Sequence, residues 1–121
     1  MIYLCNTFSV HMMPSLYVGE IRDVSIRRIS AIEAGNVLQN NAYRSFFGHD
    51  VSAWHLGRYL HTSIPVSRGT VVLQEGDILI VAAITSKRRR EAGYKSIPGW
   101  VFYEVKLGGK HEDEAGERVD F

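Results

Sequence analysis

The sequence predicts an α/β fold in a single domain, and three observations carry that expectation. The chain is 121 residues long, which suits one hydrophobic core. Five short apolar or alternating runs read as strands, and two stretches with helical spacing and start signals lie among them. Its 45% apolar and 22% charged content is that of a globular chain, not of a disordered or fibrous one.

The elements follow in order. Residues 1–5, MIYLC, are apolar and β-prone and read as a buried strand. Asn6 to Pro14 mixes turn formers with Phe8, Met12 and Met13, and Pro14 ends any turn there. From Asp23 the alternation of Val24 and Ile26 predicts a strand that bulges or ends near Arg28. Ser30-Ala-Ile-Glu33 is a capping box opening a helix, with Ile32, Val37 and Leu38 on its apolar side and Asn40-Asn41 as its stop. Ala42 to Gly48 reads as a loop. A second helix is expected over Val51 to Leu60, capped by Asp50 or Ser52, with Trp54, Leu56, Tyr59 and Leu60 inward.

After Pro65, Thr70–Leu73 reads as a strand, Glu75-Gly76-Asp77 as a tight turn and Ile78–Thr85 as a second strand, together a hairpin. Ile78–Ile84 is apolar on both faces, which places it at the sheet centre. Lys87–Arg90 is a basic loop and Trp100–Leu107 the last strand. The domain is thus expected to span 1–107. Gly108-Gly109 reads as a linker to an acidic, disordered tail over 108–121.

Composition excludes several classes. The single cysteine, Cys5, rules out an internal disulfide framework and a multi-cysteine zinc site, and suits a reducing cytoplasm. The longest apolar run falls far short of the ~18 residues of a membrane span, and no basic leader precedes the N-terminal apolar stretch. Residues 110–121 carry two basic and five acidic side chains, net −3, and residues 1–109 carry twelve basic and eight acidic, net +4. A mildly basic body suits a small polyanion better than long nucleic acid.

Candidate chemistry centres on His49. It lies between Gly48 and Asp50, just before a helix start, where unpaired N–H groups and the helix dipole favour a phosphate. An imidazole with a reference pKa of ~6.5 exchanges protons near neutrality. The same residue could be a plain surface cap. Arg88 and Glu91, three apart, offer a guanidinium for phosphate and a carboxylate to orient it or move a proton, or else a solvated basic run with one compensating acid. Arg68 precedes a strand and could bind phosphate or pair with an acid. Asn6 and Ser9 follow the first strand, where α/β sheets place ligands, although both are also common turn residues. His55 and His61 are six apart, unlike helical metal ligands, so no metal is expected, and His111 reads as solvated.

These segments together resemble the viral ring nucleases, type III anti-CRISPR enzymes that degrade cyclic tetra-adenylate, and their bacterial relatives. Tyr3-Leu4-Cys5-Asn6-Thr7-Phe8-Ser9-Val10-His11-Met12 is similar to the family's YLxNAFSxxM, and Gly48-His49-Asp50 before a helix is similar to its GHD motif. Pro65–Arg68 with Val71, Leu73 and Glu75-Gly76-Asp77 resembles an NR–strand–GD pattern, and Arg88-Arg-Arg-Glu91 resembles RLPEG. The resemblance spans residues 1–107. It implies a mixed sheet of about five strands flanked by helices, a homodimer, and one cyclic tetranucleotide bound across it. It also implies a metal-free site with no cofactor, in a prokaryotic host cytoplasm. By the same resemblance His49, Arg88 and Glu91 are catalytic, and Asn6, Ser9, His11 and Arg68 contact the ligand.

The chain departs from the family pattern in four places. Thr7 replaces an alanine, His11 stands where asparagine is frequent, Ala83 stands where glutamine is common, and the loop reads RRREAG. Lys87 or Arg89 therefore remain alternatives to Arg88. The expected activity is cleavage of the ring to linear di-adenylates. The alternatives are a non-cleaving cyclic-nucleotide sponge or nucleic-acid-binding module, and a structural virion protein.

Overall fold

The computed structural model describes residues 1–85 and 99–112. Seven elements build it: β1 (Ile2–Cys5), β2 (Glu20–Ile29), α1 (Ala31–Asn40), β3 (Tyr43–Ser45), α2 (Asp50–Leu60), β4 (Ile78–Thr85) and β5 (Gly99–Glu112), with a 3-10 turn at Val10–Met12. The five strands form one mixed sheet in the order β2-β5-β4-β1-β3. β3 and β4 run parallel to β1, and β5 runs antiparallel to β4 and β2. The architecture is the single-domain α/β fold expected, with the doubly apolar β4 in the middle.

Each face of the sheet has its own cover. On one, Leu4, Ile80, Ala82, Trp100 and Phe102 pack with Ala34 and Leu38 of α1 and with Ala53, Leu56 and Leu60 of α2. On the other, Cys5, Leu79, Val81, Val105 and Leu107 lie under Phe8, Met12 and Met13 and under Val71 and Leu73. Two irregular segments thus do on this face what two helices do on the other.

That arrangement corrects the hairpin. Thr70–Leu73 is not a strand, and β4 pairs with β1 and β5 instead. Val71 and Leu73 are buried while Thr70 and Val72 are exposed. A chain lying flat across a sheet needs the same alternation as a strand within one, so the pattern was right and its partner was not. The segment is tied down where the Leu73 N–H donates to the Met12 carbonyl at 2.7 Å.

Two other boundaries move. The stretch read as a loop before α2 contains β3, which pairs with β1 from Ile2↔Tyr43 to Leu4↔Ser45. β5 does not stop at Leu107 but continues to Glu112, so Gly108-Gly109 is no linker and the ordered domain extends past it. Val24 pairs with Leu107 and Arg22 with Lys110, so the two glycines oppose Asp23 alone as a bulge. A Cβ on Gly108 would come within 2.9 Å of the Asp23 Cβ, which is why a side chain is excluded there. His111 is exposed, as expected, and also reaches the Asp23 carboxylate at 3.1 Å. Residues 113–121 lie outside the described residues.

The helices begin by local chemistry. Ser30 Oγ accepts the Glu33 N–H at 3.1 Å, one half of the capping box, but the Glu33 carboxylate turns to Arg27 at 3.2 Å. α2 is preceded by His49 as N-cap; neither Asp50 nor Ser52 takes that place. Ile32 and Trp54 are exposed rather than inward, because Ala34, Gly35, Ala53 and Leu56 form the buried faces of their helices, whereas Tyr59, partly exposed, stacks its ring on buried Phe102 at 6.2 Å between centroids.

Candidate active site at the carboxyl end of the parallel strands

In α/β sheets, ligands bind where the chain leaves the carboxyl ends of parallel strands. Here β1, β3 and β4 are parallel and adjacent, so the segments after Cys5, Ser45 and Thr85 leave from one end of the sheet. The first carries Asn6 and Ser9 and the second carries His49; Arg88 and Glu91 come after the third in sequence. The second is tied to the end of β1: the Phe46 N–H donates to the Leu4 carbonyl at 2.7 Å, and the Cys5 thiol lies 3.9 Å from the Phe46 carbonyl.

Asn6 is exposed, with its Oδ1 facing the Cys5 thiol at 3.7 Å. Ser9 precedes the 3-10 turn, and its hydroxyl makes no capping bond. His11 is exposed on that turn. His49 is exposed, has extended backbone (φ −121°, ψ 123°) and makes no side-chain cap bond, so its imidazole is not committed to the helix. The first-turn N–H groups of α2 have no partner within the helix and open beside it. Asp50, in that first turn, is the acid nearest in sequence.

Arg68 arrives from a fourth segment. Residues 67–69 run alongside 46–48: the Ser67 N–H donates to the Phe47 carbonyl at 2.9 Å, and Arg68 Nε donates to the Gly48 carbonyl at 3.2 Å. Gly69 sits against the Phe46 ring, which also contacts Tyr3 at 5.8 Å between centroids and receives Arg44 at 5.9 Å. Phe46 and Arg44 escaped the sequence reading because β3 is only three residues long. The aromatic run Tyr43 to Phe47 was the available signal.

The structure therefore brings Asn6, His49 and Arg68 to one end of the sheet, with Ser9 and His11 on the segment that follows Asn6. Arg88 and Glu91, and the alternatives Lys87 and Arg89, lie outside the described residues. Two open grooves of about 440 and 410 Å3 lie on the helical side, along α2 and between α1 and α2. Neither is lined by Asn6, Ser9, His49 or Arg68, and strand topology is the better guide to the site. Among the described residues no three His, Cys, Asp or Glu side chains are grouped as metal ligands.

A family described as STIV B116-like matches residues 2–96, a span that holds every candidate side chain. The chain belongs to the STIV B116-like family. It is 30% identical over 94 residues to "Uncharacterized protein 26" of Sulfolobus islandicus filamentous virus, covering 77% of this chain and 74% of that protein. It is 33% identical over 88 residues to "Uncharacterized protein ORF117" of Acidianus two-tailed virus, covering 71% of each. The solved structure of B116 from Sulfolobus turreted icosahedral virus superposes with a TM-score of 0.64 at 19% identity, over 87% of this chain and 97% of B116. The STIV B116-like fold is thus shared, and the family is one of archaeal virus proteins. No helix among the described residues is long and apolar enough to cross a membrane.

Proposed function

We propose that this STIV B116-like protein is a metal-independent ring nuclease that cleaves cyclic tetra-adenylate to linear di-adenylates, as a homodimer in the host cytoplasm. One observation supports the reading above the others. The segments leaving β1 and β3 carry short polar side chains and an uncommitted imidazole to one end of the sheet, and a further segment adds the Arg68 guanidinium beside them, at the end where a small polyanion would be held.

The chemistry asks little more. A ribose 2′-oxygen attacks its own 3′-phosphorus, forming one P–O bond as the bond to the 5′-oxygen breaks. The nucleophile is already in place, so no second reactant is recruited. The departing 5′-oxygen takes a proton from the His49 imidazolium, a general-acid step worth about 10²–10⁴ in rate. Arg88 would stabilise charge on the phosphoryl oxygens, and Glu91 would orient Arg88 or accept the 2′-OH proton. Asn6, Ser9, His11 and Arg68 would hold the ring. The products are a 5′-hydroxyl and a 2′,3′-cyclic phosphate or its opened form. Two-fold symmetry would place one such site at each of two opposite bonds.

A non-cleaving sponge is the second reading, and Ala83 favours it: a short side chain stands near the end of β4 where a longer polar one would add a ligand contact. Incubating the protein with labelled cyclic tetra-adenylate separates the two. Linear products that persist in EDTA support the nuclease, whereas a tightly bound, uncut ring supports the sponge. Repeating the assay with rings of other sizes defines preference.

A further inference from the structure

We infer that Arg68 is a positioning residue for His49, acting on the backbone of the histidine loop as well as through its charge. This rests on the nuclease reading for its rate consequences but on geometry alone for the contact itself.

The orientation of His49 is set by the two peptide planes that flank it. The downstream plane is pinned by the helix, because the His49 carbonyl accepts the Ala53 N–H at 3.0 Å. The upstream plane carries the Gly48 carbonyl, and the bond reaching it comes from Arg68 Nε at 3.2 Å. With both planes held, φ and ψ at His49 are held too, and with them the direction in which the imidazole leaves the chain. The first restraint comes with any helix. The second depends on one side chain twenty residues away, beside a glycine that by itself restricts the backbone least.

The rest of the neighbourhood supports a brace. The Ser67 N–H holds the Phe47 carbonyl at 2.9 Å, so 67–68 grips two successive carbonyls ahead of His49. The Arg68 stem lies against Gly48, its Cγ 3.5 Å from where a Cβ would stand. A guanidinium is planar, so committing Nε to a carbonyl also fixes the plane of the terminal nitrogens. Those nitrogens keep the positive charge and have no carboxylate partner among the described residues. One side chain can then hold the proton donor's loop and meet a phosphate. Lysine would supply the charge without the fixed plane.

The test separates positioning from ligand contact. Cyclic tetra-adenylate is given to wild type, Arg68→Lys, Arg68→Ala and the double variant Gly48→Ala/Arg68→Ala, and kcat and KM are measured. Gly48 is not left-handed, and an alanine Cβ there meets only ordinary contacts, so the added restriction is tolerated. Arg68→Lys is expected to keep KM and lose about 10- to 100-fold in kcat, the scale of a small misplacement of a reacting group. Arg68→Ala is expected to lose on both, and the double variant to regain part of kcat but none of KM. An effect confined to KM in every variant would overturn the proposal. His49 imidazole resonances of the ring-free protein give a readout independent of cleavage. Arg68→Ala should move them toward averaged, loop-like values, and unchanged resonances would sink the positioning role. Resonances that shift in a protein that cuts no ring would refute the nuclease reading and leave the brace standing.

Discussion

The two ends of the sheet treat charge in opposite ways. At the end where β1 and β4 begin, charges are matched: the N-terminal ammonium with Asp77 at 3.3 Å, Arg22 with Glu75 and Lys110 with Glu20 at 2.9 Å each, and His111 with Asp23 at 3.1 Å. At the carboxyl end of the parallel strands, Arg68 and His49 have no carboxylate partner among the described residues, and Arg68 bonds a carbonyl instead. An end that only closes the fold neutralises its charges pairwise. An end that keeps a cation available beside an uncommitted imidazole suits the anionic ring proposed for it.

Changing one residue at each end should therefore produce opposite phenotypes. Arg68→Glu puts a like charge against the phosphates, a juxtaposition costing several kcal/mol, so ring affinity should fall about 100-fold or more in a binding titration. As an exposed position, it should leave stability within roughly 1 kcal/mol by denaturant unfolding. Arg22→Ala should do the reverse. Its largely buried side chain also donates to the Gly108 carbonyl at 3.1 Å, so its loss should cost about 1.5–3 kcal/mol of stability with cleavage per folded molecule unchanged. A stability loss at Arg68 or a rate loss at Arg22 would erase the contrast between the ends.

Much of this was readable in advance, for identifiable reasons. The Ser30 cap, the centrality of β4 and the placement of His49 before α2 are local patterns, and local patterns survive folding. β3 is invisible in the sequence because three residues carry too little periodicity, and Val71 and Leu73 resemble a ladder strand because burial on one side looks the same over a sheet as within it. The contact of Arg68 with Gly48 spans twenty residues and follows no spacing rule, so only the fold could bring it out. Arg88 and Glu91 lie outside the described residues and stand on the motif alone.

The smallest expected effect is a pH dependence at the matched end. The Tyr17 N–H at 2.6 Å, followed by the Lys110 ammonium, holds the Glu20 carboxyl below its ordinary value of 4.5. A lowered folded value means that the ionised form stabilises the fold above the unfolded value, and that this contribution is lost as pH falls through the folded one. Melting curves of wild type and Glu20→Gln should differ modestly near neutrality and converge in acid below 4.5. A difference that grows on acidification would reverse the sign.

The most direct measurement is cleavage of labelled cyclic tetra-adenylate by the His49→Ala protein, with ring binding followed in the same samples. Retained binding, an unchanged melting temperature and a rate lower by about 10²–10⁴-fold are expected. Wild-type turnover in that variant would contradict the role of His49, because the proton would then come from elsewhere.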